Sequence, residues 1–154
     1  TDEQGVPRHA HKRSCNSVGK AFRQNIEGSD PRYSFHHIGT DGQLFVFEAP
    51  IDLLSYITMH PEDLQSHSYV ACCGTSAIPV LSMLERISSP KEVYLCLDND
   101  QAGETGSLRM AEKIAEQFNI ASDRLLPEHK DWNDALCARN QEQIQAAMSM
   151  GMQV

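Results

Sequence analysis

Along the chain, compact apolar runs alternate with stretches in which apolar residues recur at helical spacing. Leu44–Phe47, Ser68–Cys73 and the five residues Val93 to Leu97 are short, bounded and rich in β-branched or aromatic side chains, the pattern of strands buried on both faces. Each leads into a helical pattern. Pro50 suits a first helical turn because its missing amide needs no partner there, and the helix it opens carries Ile51, Leu53, Leu54 and Ile57 before stopping ahead of Pro61. Ser76 is placed to cap a second helix, with Pro79 in its first turn and Val80, Leu81, Leu84 and Ile87 on its buried side. A third helix follows Asp100, with Leu108, Ala111, Ile114, Ala115 and Phe118 on one stripe, and ends near Asn119. Asp123–Leu126 reads as a fourth strand. A polar loop from Pro127 then runs into a helix from about Asn133 to Arg139, and residues 140–150 read as helical again, with the last four frayed. Strand followed by helix, repeated, implies an α/β fold: a parallel sheet of about four strands with helices on both faces.

Before this region, residues 7–38 lack helical periodicity. Arg8–Arg13, Ala21–Ile26 and Tyr33–Ile38 are separated by turn residues such as Ser17, Gly19, Gly28, Asp30 and Pro31, and are expected as antiparallel strands. The organisation expected is a small antiparallel β extension over residues 1–40 and an α/β domain over residues 41–154. The opening at Thr1, without an initiator methionine, reads as a piece of a longer protein.

With 154 residues and 40% hydrophobic content the chain suits one core. It has no run of about 18 apolar residues and no signal-peptide core, so a cytoplasmic protein without a membrane partner is expected. The five cysteines are an odd number, and Cys72 and Cys96 lie in apolar stretches, consistent with free thiols. The net charge of −8 is uneven. Residues 4–26 hold Arg8, Lys12, Arg13, Lys20 and Arg23 and no acid, whereas residues 27–154 hold eight basic and nineteen acidic side chains. Such a basic arm can meet phosphates; it can equally be the solvated face of a hairpin.

Glu48, Asp98 and Asp100 all fall at carboxyl ends of expected strands, the edge where open α/β sheets bind ligands. Asp98 and Asp100, two apart in an extended segment, would share one side of the chain. Carboxylates so close repel unless a cation neutralises them, and magnesium, a hard ion that takes carboxylate, water and phosphate oxygens, is the natural candidate. An isolated Asp-x-Asp is also a common capping and turn pattern. His9, His11 and Cys15 lack a Cys-x-x-Cys or a fourth partner, so no zinc site is expected. His36 and His37 should send one ring to each face of a strand.

Four segments, in order, resemble the Toprim domains of bacterial primases, topoisomerases and certain nucleases and recombination proteins. They are Val46-Phe47-Glu48-Ala49-Pro50-Ile51-Asp52, Gly74-Thr75 after a strand, Leu97-Asp98-Asn99-Asp100-Gln101-Ala102-Gly103, and Lys130-Asp131-Trp132-Asn133-Asp134-Ala135-Leu136. The resemblance covers roughly residues 43–137 and implies a Rossmann-like parallel fold. It also implies Glu48 as general acid or base and metal contact, and Asp98 and Asp100 as principal magnesium ligands, with manganese able to substitute. It places Asp131 beside the metal, with Lys130, Gly74, Gly103 and Asp52 supporting substrate or phosphate. Asp131 could instead simply cap the following helix, with Asp134 completing the pair. Trp132 reads as a packing residue. Ala49 departs from the glycine many relatives carry after the glutamate.

Asp-x-Asp-x-Ala-Gly followed by Lys-Asp-x-Asn-Asp is similar to the primase-type branch, including primase-like proteins of plasmids and conjugative elements. Topoisomerases of the single-strand-cutting class carry Arg-Glu-Gly-Glu where this chain has Gln101-Ala102-Gly103-Glu104. The resemblance thus implies magnesium-dependent nucleotidyl transfer, with nucleotides, a single-stranded DNA template and further domains of a parent protein as partners. A nuclease sharing the same metal site, or a nucleic-acid-binding module without turnover, are the other readings. Haloacid-type phosphatases are disfavoured, since their Asp-x-Asp sits on the first core strand and is followed by threonine or valine.

Overall fold

The computed structural model describes residues 1–15, 18, 19 and 22–151. Its main sheet has five strands in the order β3-β5-β4-β6-β7, where β3 is His36–His37, β4 Gln43–Phe47, β5 Ser68–Ala71, β6 Glu92–Cys96 and β7 Ser122–Arg124. The strands β5, β4, β6 and β7 are parallel, as the strand and helix alternation requires, and β3 adds an antiparallel edge with His36 opposite Val70 and His37 opposite Tyr69. Helices α1 (Pro50–Met59), α2 (Ile78–Arg86), α3 (Gln101–Phe118) and α4 (Trp132–Gly151) connect and cover it.

Side-chain alternation along the central strands builds two cores. Leu44, Val46, Val70, Val93 and Leu95 face α2 and α3, meeting Val80, Met83, Leu84, Met110 and Ile114. Phe45, Phe47, Tyr69, Ala71 and Cys96 face α1 and α4, meeting Leu53, Tyr56 and Trp132. All these residues are buried, which is why the central runs read as continuously apolar. The histidine pair obeys the same alternation: His36 meets Arg86 of α2, and the His37 ring lies 6.3 Å from that of Tyr69.

Three local differences from the sequence reading have physical causes. Tyr33–Ile38 is not one strand preceding the sheet: Asp30 caps a 3-10 turn over Pro31–Tyr33, and only His36–His37 pairs, as the edge of the main sheet. Arg86 holds this turn down by donating to the Arg32 carbonyl at 3.1 Å while its guanidinium lies 5.9 Å from the Tyr33 ring. The second helix begins at Ile78 with Ala77 at its cap position, although the Ser76 hydroxyl does accept from the Ile78 amide at 3.4 Å. Residues 133–150 form one helix rather than two, because nothing in Arg139-Asn140-Gln141 interrupts the backbone ladder.

At the amino terminus, β1 (His11–Arg13) and β2 (Arg23–Asn25) form a two-stranded antiparallel ribbon. Lys20, Ala21 and residues 152–154, on which parts of the expected basic arm and frayed end fall, lie outside the described residues. No described helix is long and apolar enough to cross a membrane.

Candidate functional site

The carboxyl edge of the parallel strands gathers the acids. Glu48 follows β4 directly and is half-buried, and Asp98 follows β6 by two residues and is only 5% exposed. Because β6 ends at Cys96, Asp98 and Asp100 lie in the turn to α3 rather than on a strand, and Asp100 is exposed. There Asp100 caps α3, its Oδ1 accepting from the Gly103 amide at 2.9 Å. Capping uses one oxygen of Asp100, so it does not exclude a further role for the carboxylate.

The loop before α4 is tied to this turn. The Asn99 amide donates to the Lys130 carbonyl at 2.7 Å, bringing exposed Lys130 and half-buried Asp131 alongside. Asp131 caps α4, with its Oδ1 accepting from the Asp134 amide at 2.8 Å. Trp132 is a packing residue, as expected: its Nε1 donates to the Cys96 carbonyl at 2.9 Å and its ring stands edge-on to Tyr56 at 4.9 Å. Asp52, on the first turn of α1, is 3% exposed and accepts from the Asn133 amide at 3.3 Å, linking α1 to α4.

The two glycines have distinct local reasons. Gly74 adopts φ +138°, open to glycine, with free space where a β-carbon would be, and its amide donates to the Glu48 carbonyl at 3.0 Å. Gly103 is required by contact, because a β-carbon there would stand 2.0 Å from the Asp98 carbonyl oxygen.

Electrostatically the cluster is under-neutralised. Burial raises the pKa of Glu48, and the charges of Asp98 and Asp100 raise it further. Burial followed by Asp131 and Asp100 does the same to Asp98. Burial, then Asp131 and Asp98, lift Asp52 to about 7. Arg23 and Lys130 oppose these shifts at Glu48 and Asp98. Arg23 of the ribbon is the basic residue there that acts on Glu48 and Asp98, while Arg8 pairs with Asp2 at 2.7 Å, Lys12 lies 5.8 Å from the Phe22 ring, and exposed Arg13 shares with Arg23 a cavity over Ile51 and Leu54. Sequence reasoning missed Arg124, which donates to the Asp98 carbonyl at 3.0 Å. Its position at the end of the fourth parallel strand was the available signal.

A divalent cation suits this donor set. Glu48 Oε2 and Asp98 Oδ1 are buried and have no hydrogen-bond partner among the described residues, an expensive arrangement for carboxylates with nothing to bind. The ligand atoms of Glu48, Asp98 and Asp100 do not all lie within 4.8 Å of one another; among the described residues His60, Glu62 and Asp63 do, at the far end of α1. At that spacing one ion would take one or two of these carboxylates directly and reach the others through water.

A family model described as Toprim-like matches residues 45–136, from β4 through the Asp131 cap and into α4. The chain belongs to this Toprim-like family. An uncharacterized protein of Bacillus anthracis is 29% identical over 140 residues, taking in 80% of this chain and 41% of the relative. Among solved structures, the primase fragment of the bacteriophage T7 primase-helicase protein is similar at TM-score 0.52 and 17% identity, over 71% of this chain and 44% of the fragment. A T7 lagging-strand DNA polymerase structure with primase domains on an RNA/DNA hybrid is similar at TM-score 0.48 and 18% identity, over 71% of this chain and 53% of that one. The Toprim-like chain thus spans less than half of the curated relative and of the primase fragment, and shares with the fragment a fold.

Proposed function

We propose that this chain is the metal-dependent domain of a primase-like nucleotidyltransferase, acting in the cytoplasm within a replication or transfer protein of a plasmid or other mobile element. The observation that carries the proposal is the pair of buried carboxylate oxygens, Glu48 Oε2 and Asp98 Oδ1, left without donors at the carboxyl edge of a Toprim-like sheet. Asp98 and Glu48 would hold magnesium or manganese, with the free oxygens of Asp100 and Asp131 completing the set directly or through water. When bound, the ion supplies positive charge against the triphosphate oxygens and the leaving pyrophosphate.

The side chains supply the rest. Glu48, kept basic above the ordinary carboxylate range by burial and its acidic neighbours, takes the proton from the attacking hydroxyl at the carboxylate oxygen that does not hold the ion. That hydroxyl oxygen bonds to the α-phosphorus as the bond to pyrophosphate breaks. Lys130 and Arg23, the cations whose charges act on Glu48 and Asp98, grip phosphate oxygens beside the acids. Gly103 and the Asn99 to Lys130 hydrogen bond hold the turn and the loop in register, so the charged groups are placed before substrate arrives.

Calorimetric titration of this chain with manganese tests the site: binding that disappears in Asp98→Ala/Asp100→Ala supports it. The parent protein should then make short primers on single-stranded template, and primer synthesis undiminished in Asp98→Ala would sink the assignment. Nicking of supercoiled DNA without primer synthesis would make the chain a nuclease. Salt-dependent strand binding indifferent to both aspartates, with neither activity, would make it a binding module.

A further inference from the structure

A second cluster of metal-ligating side chains stands at the amino edge of the parallel strands, opposite the acids, where α1 ends and the chain turns back into β5. A 3-10 turn over Pro61–Asp63 follows α1. It brings one ligand atom each of His60, Glu62 and Asp63 within 4.8 Å of one another. Further along, His67 sits between two carboxylates, its Nδ1 2.5 Å from Asp41 Oδ2 and its Nε2 3.8 Å from Asp63 Oδ1.

Backbone contacts fix these groups in advance. The amides of Ser66 and His67 each donate to the Asp63 carbonyl at 3.0 Å, and those of Thr40 and Asp41 donate to the Ser66 carbonyl at 2.8 and 3.1 Å. Gly39 packs so closely here that a β-carbon would stand 2.3 Å from the Ser66 and His67 carbonyl oxygens. The His60 ring lies 4.5 Å from that of Tyr56, and His60 and Asp63 are half-buried while Glu62 is exposed, so an ion from solvent can reach them.

An independent group points to a ligand in this cluster. Tyr69 is fully buried, and its hydroxyl has no hydrogen-bond partner among the described residues. Burial, then the charges of Asp63, Asp41, Cys96 and Glu62, push its pKa up to about 12, which puts the hydroxyl near these acids as a protonated donor. A buried donor of this kind needs an acceptor, and a water held by an ion is one. His67 offers the complementary group. Its Nδ1 donates to Asp41, so the neutral ring presents a lone pair at Nε2, and the 3.8 Å to Asp63 is too long for a direct hydrogen bond but short enough for a bridging water. An imidazole oriented by a carboxylate is the usual outer support of a metal site.

We propose that His60, Glu62 and Asp63 bind a zinc-type ion whose bound water accepts from Tyr69 and donates to His67 Nε2. Imidazole with carboxylates suits zinc, cobalt or nickel, whereas the acids at the carboxyl edge offer oxygen alone and suit magnesium. The ion clamps the end of α1 to the start of β5. The proposal stands apart from the reading of Glu48 and Asp98.

The test is calorimetric titration of the chain with zinc, in saturating magnesium and a phosphine reductant. One zinc per chain is expected, its affinity about tenfold or more weaker in His60→Ala and in Glu62→Gln and unchanged in Asp98→Ala/Asp100→Ala. Zinc should also raise the unfolding midpoint of the parent chain and not that of Glu62→Gln. Circular dichroism checks that each variant folds, and exposed Glu62 decides the matter if His60→Ala does not. Cobalt in place of zinc reports on the ligands, since Cys15 and Cys137 are exposed and would give a thiolate-to-metal absorption band that the proposed site lacks. Four results each overturn the proposal: no zinc binding, affinity unmoved in a folded variant of His60 or Glu62, binding lost in the Asp98 and Asp100 variant, or a thiolate band. Manganese binding at the carboxyl edge survives any of the four.

Discussion

The backbone of Asp98 and the α-carbon of Gly103 lie so close that a β-carbon on Gly103 would stand 2.0 Å from the Asp98 carbonyl oxygen. The neighbouring atoms are backbone, so they cannot rotate away. Gly103→Ala must therefore move either α3 or the turn that carries Asp98 and Asp100. A loss of about 1–3 kcal/mol in denaturant unfolding, together with weaker manganese binding, is expected. Gly74→Ala is the contrasting case. It meets no atom within 4 Å and suffers only the strain of φ +138°, so it should cost stability, about 1–3 kcal/mol, through the backbone alone.

Trp132 joins α4 to the sheet through one hydrogen bond as well as through packing. Trp132→Phe keeps most of the ring but strands the buried Cys96 carbonyl. A loss of about 1–3 kcal/mol is expected, read by urea unfolding. An unchanged midpoint would mean that this hydrogen bond contributes nothing net.

Asp98 should oppose stability and serve binding at once. Its Oδ1 is buried without a donor, and burial with the charges of Asp131 and Asp100 raises its pKa. Asp98→Asn removes that charge, so in chelator the variant should be more stable than the parent chain by about 1–3 kcal/mol. With saturating manganese the order should reverse, because only the parent chain gains binding free energy. A variant that is less stable in chelator and still gains from manganese contradicts the site.

Asp52 links this tension to pH. Its ordinary value is 3.8 and its folded value about 7, so the folded chain holds the proton more tightly than the unfolded one. Asp52 therefore makes stability fall as pH rises from about 4 to 7, with a limiting slope of about 1.4 kcal/mol per pH unit, and contributes no further slope above that window. Asp52→Asn keeps an oxygen for the Asn133 amide and lacks the titration. Unfolding of the variant in chelator should lose that part of the slope between pH 4 and 7. An identical pH profile would show that Asp52 does not titrate there.

Much of this arrangement was legible in the residues because its signals are local. Buried parallel strands announce themselves as short apolar runs, and the acids at their ends follow from where those runs stop. The caps at Asp100 and Asp131 follow from residue type at a helix start. The edge strand His36–His37 was misjudged as part of a longer antiparallel strand, because the Asp30-capped turn and the Arg86 tether decide where pairing begins. Arg124 stands at the end of the fourth strand, but its relevance depends on β7 lying beside β6.

The sequence by itself determined an α/β sheet with Glu48, Asp98 and Asp100 at one edge, since hydrophobic period and turn chemistry act over a few residues. Only the tertiary structure decided which charges face one another. It buried Asp52 against Asn133, brought the charge of Arg23 to bear on the acids while Arg8 pairs with Asp2, and left Glu48 Oε2 and Asp98 Oδ1 without donors among the described residues. Desolvation and charge coupling depend on distances between residues far apart in the chain, and those distances are set by how the ribbon, the sheet and α4 pack.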